Sequence, residues 1–255
     1  MTVTEPVSIS SGRARAHVRA VAVIIPAHNE QELLGACLDA LEPAAWHARE
    51  AGLQVLTIVI ADACTDSTRA TARARAAVCL TTHERNVGAA RAAGAAHALA
   101  ELARRGHDAA EVYLLHTDAD TLVPPDWITN HVRAAADHDA VLGPVEVRDW
   151  SERAEDCAHH YARAYALEPD ADRVHGANLG IRGEAYLRTG GFPALPVSED
   201  RALVEALRTS GESVAFRSDL TVCTSARISR RVNGGFSDFL SKLEDRPPGT
   251  VTTGR

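Results

Sequence analysis

The sequence is short of several residue types, and each shortage excludes something. Lys242 is the only lysine among the 255 residues, so nearly every fixed positive charge is an arginine guanidinium. Any anion site must therefore use arginines, backbone amides or a metal ion. Aromatic residues make up only 4% of the chain. No apolar run approaches the roughly 20 residues of a membrane-spanning helix, so we expect no integral membrane segment.

The charge balance and the cysteines exclude further classes. Aspartate and glutamate number 34 against 27 lysines and arginines, which gives a formal net charge of −7. This excess of acid argues against a nucleic-acid partner. The five cysteines are scattered without a CxxC pair, a pattern that predicts reduced thiols and a cytoplasmic location. Hydrophobic (45%) and charged (24%) fractions are those of an ordinary globular protein.

Short apolar runs alternate with amphipathic segments along the first half of the chain. We predict buried strands at 20–27, 54–61, 78–82 and 111–116. Predicted helices begin at Glu30 behind an Asn29 cap, at 66–77, at 87–104 and after Pro124-Pro125. This alternation predicts an α/β fold whose central sheet is mostly parallel and flanked by helices.

The pattern changes beyond about residue 138. A strand over 140–147 is interrupted by Gly143-Pro144, so we predict an edge or bent strand there. Helices are expected over 151–167 and from Ser198 to about residue 209. The polar segments 1–19 and 243–255 are expected to be flexible tails.

Polar residues cluster where three of the predicted parallel strands end. The clusters are His28-Asn29-Glu30, Asp62 with Asp66, and Asp118-Ala119-Asp120. Ligands of such sheets bind outside the carboxyl ends of the strands. Chance helix capping is the alternative for two of the three clusters, but it does not explain Asp118-Ala119-Asp120, which precedes its helix. Residues i and i+2 of an extended chain point to the same side, so the two aspartates form an oxygen site suited to Mg²⁺ or Mn²⁺.

Five motifs in sequence order resemble the family 2 glycosyltransferases, which have the GT-A fold. The resemblance runs from about Val21 to about Leu207. Its motifs are AVIIPAHNE (22–30), ADACTD (61–66) where members usually have DDGSTD, NVGAARAAG (86–94), the DxD motif TDAD (117–120), and GANLGIRGEAYLRTGGF (176–192) followed by SED (198–200). In ADACTD, Ala61 stands where members usually have the first aspartate, and Ala63-Cys64 stands where they have glycine-serine. Because these changes affect the base contacts, both uridine and guanosine donors remain open.

The resemblance implies a role for each matching residue. Three would line the pocket for the base and ribose: Pro26, Ala27 and Glu30. Asp62 would accept a hydrogen bond from the base, and Arg91 would approach the diphosphate. Asp118 would contact the ribose or the metal, Asp120 would ligate the metal, and Asp200 would be the catalytic base. Four residues would lie on the acceptor side: Gly176, Ala177, Asn178 and Glu199.

The resemblance also implies a domain plan and an activity. The single domain would span 20–242, with a nucleotide-sugar-binding half at 20–137 and an acceptor-side half at 138–242. We expect a metal-dependent glycosyltransferase that uses Mn²⁺ or Mg²⁺ and a nucleotide-diphosphate sugar, with a UDP-sugar favoured. One catalytic carboxylate and no second carboxylate nucleophile fit inversion by a single displacement. Three alternatives remain: a non-catalytic nucleotide-sugar-binding protein, a retaining transferase and a nucleotidyltransferase. The sequence specifies neither the sugar, the hydroxyl acceptor nor the oligomeric state.

Some residues carry two interpretations. Arg227, Arg230 and Arg231 form a basic cluster beside Gly234-Gly235, which indicates either a mobile segment closing over the donor diphosphate or a solvated charge run. His175 is interpreted as structural before it is interpreted as a ligand. His116 and Trp127 are expected in the core.

Overall fold

A computed structural model of the chain describes residues 15–170, 173–228 and 236–244. Most of the two predicted tails therefore lies outside the described residues. Within the first tail, Arg15 donates two hydrogen bonds of 2.9 Å to the Asp139 carboxylate. Among the described residues, no helix is both long enough and apolar enough to cross a membrane.

Strands and helices alternate through the first half of the chain and are less regular in the second. The first half comprises β1 (Ala20–Ala27), α1 (Leu34–Glu50), β2 (Gln54–Asp62), α2 (Thr68–Ala74), β3 (Val78–Thr82), α3 (Val87–Arg104), β4 (Val112–His116) and α4 (Trp127–Ala134). The second half comprises β5 (Ala140–Leu142), β6 (Val145–Val147), α5 (Cys157–Leu167), β7 (Leu179–Arg182), α6 (Gly183–Arg188), α7 (Glu199–Thr209), β8 (Val214–Phe216), β9 (Val222–Thr224) and α8 (Phe236–Glu244).

Within the described part of the chain, the central sheet has seven strands in the order β3-β2-β1-β4-β7-β5-β8. Strand β7 runs antiparallel to both of its neighbours, and the other pairs are parallel. Strands β6 and β9 form a separate parallel pair. The predicted α/β fold with a mostly parallel central sheet is confirmed. Because β1, β2 and β4 are parallel, the loops that follow them meet at one edge of the sheet.

Apolar layers cover both faces of the sheet, which explains the continuous apolar runs of its strands. Along β1, Val21, Val23 and Ile25 pack on the face covered by α1 and α4. The alternate residues pack on the opposite face with α3, α6 and α7. Helix α3 lies so close to the sheet that a Cβ at Gly94 would be 2.6 Å from the Ile60 side chain. Alanine and glycine on this helix permit that approach.

The following local predictions were wrong in whole or in part. Helix α1 begins at Leu34 and not at Glu30, because Asn29 has a left-handed backbone (φ 54°) and its side chain accepts a hydrogen bond from Thr65 N instead of capping. The predicted strand 140–147 divides at Gly143-Pro144 into β5 and β6, which belong to different sheets. Strand β5 is not an edge strand, since it lies between β7 and β8.

Candidate functional site

The loops that follow β1 and β2 are hydrogen-bonded to each other. A 2.6 Å contact joins the His28 ring to the Asp62 carbonyl, and Asn29 Oδ1 accepts a 2.8 Å bond from Thr65 N. Glu30 N donates to Thr68 Oγ1 at 2.7 Å. These contacts join the PAHNE and ADACTD motifs into one surface beside the buried Ala27.

Asp62 organises the loop that leads from β3 into α3. Its carboxylate accepts hydrogen bonds from Thr82 Oγ1 (3.0 Å), Glu84 N (2.8 Å) and Asn86 N (2.9 Å). Asn86 in turn caps α3 by accepting from Ala89 N. The Asp62 side chain is thus held rigidly at the end of β2, and a carboxylate oxygen with two lone pairs retains room for another donor.

Arg91 joins the DxD motif to the SED motif. Its Nη2 donates to Asp118 Oδ1 at 2.6 Å and its Nε to Glu199 Oε1 at 3.1 Å. The side chain is only 2% exposed. Burial opposes the charged guanidinium, but the nearby Asp118, Glu199 and Asp200 carboxylates outweigh it and raise the pKa of Arg91. Arg91, which the sequence predicts to approach the diphosphate, is therefore a buried and permanently charged side chain between two carboxylates. Its Nη1 atom has no hydrogen-bond partner among the described residues.

Gly176 lies against both Arg91 and Asp200. A Cβ at this position would be 2.6 Å from Arg91 Nη2, a distance that real Cβ contacts do not reach. The Gly176 amide donates to Asp200 Oδ2 at 2.7 Å. The absence of a side chain at Gly176 is what allows the two charged groups to approach the same backbone segment.

Asp200 is in the first turn of α7, and its carboxylate is held by two backbone amides. Besides Gly176, the amide of Arg201 donates to Oδ1 at 2.7 Å. The residue before the helix, Ser198, has a left-handed backbone with φ 60°. Such conformations are costly for residues other than glycine and occur often at functional sites. The Asp200 side chain is partly exposed, so an incoming group can reach it.

Asp120 belongs to a second charged group with Glu30 and Arg227. Arg227 Nη2 contacts Glu30 Oε1 and lies 3.5 Å from Asp120 Oδ2, while Thr224 Oγ1 is 3.3 Å from Asp120 Oδ1. Burial and the neighbouring negative charge of Asp118 raise the pKa of Asp120 to about 7. Asp120 therefore has too little positive charge around it to be fully ionised near neutral pH.

That shortage of positive charge fits a divalent cation. Among the described residues, no group of three or more histidine, cysteine, aspartate or glutamate side chains is placed to hold a metal. Mg²⁺ and Mn²⁺ bound with substrate phosphates need only one or two protein carboxylates, the rest of the shell being water and phosphate oxygens. Asp118 and Asp120 meet that requirement.

The acceptor-side residues fall into two groups. Glu199 pairs with Arg91, and Gly176 contacts both Arg91 and Asp200. Asn178 and Ala177 are buried in the core. The Asn178 amide has contacts with Trp127 Nε1, His131 Nε2, Pro144 O and Leu220 O at 2.5 to 3.0 Å. Asn178 therefore connects α4, the start of β7 and the segment before β9. Its buried side chain is not exposed to a sugar-acceptor substrate.

His175, which precedes Gly176, stacks on Tyr165 with ring centroids 5.9 Å apart and planes inclined by 18°. His175 Nε2 and the Tyr165 hydroxyl are buried without a hydrogen-bond partner among the described residues. His116 and Trp127 are fully buried, which confirms their expected place in the core. Arg230 and Arg231 lie outside the described residues.

Arg153 was missed by sequence reasoning. Its guanidinium is completely buried and donates to Ala226 O (2.6 Å), Arg227 O (3.0 Å), Ser237 Oγ (2.9 Å) and Ser241 Oγ (2.9 Å). These contacts fix the backbone of Arg227 against α8. Because its partners lie at least 73 residues away in sequence, no local pattern distinguishes Arg153 from a surface arginine.

With the site described, comparison with known proteins assigns the family. Residues 22–186 match the profile described as glycosyl transferase family 2. The chain belongs to this family. Comparison with curated protein sequences gives no match.

Solved structures agree with this assignment in their fold. TarS residues 1–349 from S. aureus, in complex with UDP, has a TM-score of 0.60 and 14% identity over 81% of this chain and 60% of that one. Mannosyltransferase PcManGT from Pyrobaculum calidifontis, in complex with GDP-Man and Mn²⁺, has a TM-score of 0.58 and 22% identity over 83% and 57%. Glucosyl-3-phosphoglycerate synthase from Mycobacterium tuberculosis, in complex with phosphoglyceric acid, has values of 0.53 and 18% over 89% and 76%. These likenesses show the GT-A fold, and the chain spans less than two thirds of the first two structures.

Proposed function

We propose that this family 2 chain is a metal-dependent glycosyltransferase that moves a sugar from a nucleotide diphosphate to an acceptor hydroxyl. A single observation carries the proposal. Arg91 pairs with Asp118 of the DxD motif and with Glu199, the neighbour of Asp200. Arg91 thus links the residues that we propose for the donor diphosphate to the segment of the proposed base, as a transfer between two substrates requires.

The donor base is proposed to lie on the surface formed by Pro26, Ala27 and Asp62, with Glu30 towards the ribose. Asp62 is rigidly held and carries an acceptor suited to the N–H of a base. TarS was solved with UDP and PcManGT with GDP-Man and Mn²⁺. We favour a UDP-sugar, and guanosine donors belong in the same test.

Asp118 and Asp120 are the proposed metal ligands. A divalent cation bound there supplies positive charge to the diphosphate leaving group. Arg91 holds Asp118 in place through a 2.6 Å hydrogen bond. Arg91 thereby orients one ligand.

Asp200 is the proposed catalytic base. As the acceptor oxygen bonds to the anomeric carbon, its proton passes to Asp200 and the bond from that carbon to the diphosphate oxygen breaks. The amides of Gly176 and Arg201 orient the carboxylate for this transfer. Glu199, the adjacent carboxylate, is buried against Arg91, which disfavours it as a nucleophile and supports inversion by a single displacement.

The first test is titration with UDP and GDP, with and without Mn²⁺, followed by turnover of a panel of UDP- and GDP-sugars. Asp120→Asn should lose the metal-dependent part of nucleotide affinity. Asp200→Asn should bind nucleotide as the wild type does while donor turnover falls roughly 10²- to 10⁴-fold, the usual contribution of a general base.

Other outcomes identify the alternatives. Full turnover by Asp200→Asn contradicts the base assignment, and wild-type protein that binds neither nucleotide contradicts the proposed function. Binding without turnover of any sugar indicates the non-catalytic protein. Retention of the anomeric configuration in the product indicates a retaining transferase, and release of pyrophosphate from a nucleoside triphosphate indicates a nucleotidyltransferase.

A further inference from the structure

Arg227 lies between carboxylates from two different loops of the site. Its Nη2 contacts Glu30 Oε1, at the end of the PAHNE motif, and is 3.5 Å from Asp120 Oδ2 of the DxD motif. The Arg227 side chain is 19% exposed, and those of Glu30 and Asp120 are 9% and 17% exposed. Burial opposes its charge, but the hydrogen bond to Glu30 and the charge of Asp120 raise the pKa of Arg227, so it is a permanent cation.

The backbone that carries Arg227 is held independently of this ion pair. Arg153 donates to the carbonyls of Ala226 and Arg227. Just before them, Cys223 exchanges two backbone hydrogen bonds of 2.7 and 3.0 Å with Leu122, two residues after Asp120. The long side chain of Arg227 can therefore change partners while its backbone stays beside the DxD loop.

Arg227 and a divalent cation compete for the same carboxylate. Asp120 Oδ2, which faces the guanidinium, is an oxygen of the proposed metal ligand. A guanidinium also matches the geometry of phosphate oxygens, which it binds through paired hydrogen bonds. Lys242, the only lysine, is on α8, where its ammonium pairs with Asp238.

We infer that Arg227 is an exchangeable cation. Without donor it pairs with Glu30 and Asp120, and when the divalent cation binds, it leaves Asp120 and turns to the diphosphate of the donor. This inference rests on the proposed function and adds an order of events to it. It also assigns Arg227 opposite effects on two ligands: Arg227 weakens the binding of metal alone and strengthens the binding of nucleotide with metal.

The test measures Mn²⁺ alone and then UDP in saturating Mn²⁺, by calorimetry and by the electron paramagnetic resonance signal of free Mn²⁺. Arg227→Met should bind Mn²⁺ alone about tenfold more tightly than the wild type, which corresponds to about 1.4 kcal/mol. It should bind UDP with Mn²⁺ at least tenfold more weakly. The matched control is Arg217→Met, which removes the same charge from an exposed pair with Asp219 and should change neither affinity.

Two further variants keep the result decisive. In Arg227→Met combined with Asp120→Asn, the gain in Mn²⁺ affinity should disappear. If Arg227→Met does not fold, as judged by circular dichroism, Arg227→Gln takes its place. Equal Mn²⁺ affinity in wild type and variant, including no measurable binding in both, overturns the inference. Failure of the wild type to bind UDP contradicts the proposed function instead, and the measurement with Mn²⁺ alone still decides the exchange.

Discussion

Arg91 is the residue on which the arrangement of the site depends most. Its guanidinium is buried and holds two carboxylates, Asp118 and Glu199, that come from distant parts of the chain. Removing one member of the buried Arg91–Glu199 pair leaves a charge unpaired, which costs about 3–5 kcal/mol. The position of Arg91 also depends on Gly176, because a side chain at residue 176 would occupy the space beside Arg91 Nη2.

Gly176→Ala tests this coupling. The new Cβ would be 2.6 Å from Arg91 Nη2, so the buried guanidinium would have to shift and strain its hydrogen bonds to Asp118 and Glu199. We expect a loss of about 1–3 kcal/mol in the free energy of unfolding, measured with urea, together with weaker UDP binding.

The control is Gly35→Ala on α1. A Cβ at Gly35 also meets an arginine, Arg75 Nη2 at 3.0 Å, but Arg75 pairs with Asp39 on the surface and can move. Alanine is favoured over glycine inside a helix, so this variant should be as stable as the wild type or slightly more so. Equal losses in both variants would contradict the special role of the space at Gly176.

At the scale of elements, Asn178 and His131 join α4 to β7. The Asn178 amide oxygen can only accept, so His131 Nε2 donates to it at 3.0 Å. His131 is fully buried, and desolvation lowers its pKa to about 4 despite that hydrogen bond. The ring is therefore neutral in the folded protein at pH values where the unfolded chain is already protonated.

His131 should make stability fall in mild acid. Below about pH 6.5 the unfolded chain binds a proton at this position, but the folded protein does so only below about pH 4. The resulting loss is complete near pH 4 and amounts to about 3 kcal/mol. Glutamine at this position can still donate to Asn178 but does not titrate.

We expect urea unfolding between pH 7 and pH 4 to show a shallower decline for His131→Gln than for the wild type. Other buried groups, such as His116, affect both proteins equally. Parallel curves for the two proteins would show that His131 does not cause the loss.

The elements also show how far local patterns reach. Strands β1 and β3 and helix α3 have the bounds that the sequence predicts, because short apolar runs and a long amphipathic segment are local signals. The start of α1 was missed because the side chain of Asn29 is used by Thr65, 36 residues away. Helix α5 begins at Cys157 and not near Ser151, and the buried Arg153 just before it binds distant backbone.

Across the whole molecule, Arg153 connects the segment after β9 to α8. Arg153 donates to backbone carbonyls in the segment after β9 and to serine hydroxyls on α8. It also pairs with Glu244 of α8 at 3.2 Å. Aromatic side chains of the same region, Trp150, Tyr161 and Phe236, pack on the apolar side of α5 and α8. Part of the site therefore rests on a layer that is separate from the central sheet.

Arg153→Met should loosen this layer and leave the sheet intact. The variant leaves several buried acceptors without donors, so we expect a loss of about 2–4 kcal/mol confined to α5, α8 and residues 222–228. Hydrogen exchange followed by mass spectrometry should show faster exchange there and unchanged protection in β1 and α3. Uniformly faster exchange would mean that the layer and the sheet unfold as one unit.

The sequence by itself determined the order of strands and helices, the edge of the sheet at which the polar motifs meet, and the family. These follow from apolar runs, turn residues and motif order, all of which act over short stretches of chain. Only the tertiary structure decided which arginine faces which carboxylate: Arg91 lies between Asp118 and Glu199, Arg227 beside Glu30 and Asp120, and Arg153 beside Glu244. Such pairings join residues up to 197 positions apart, and they depend on how packed elements direct long side chains. The shortage of lysine indicated that arginines would supply the cations, and packing determined where each guanidinium lies.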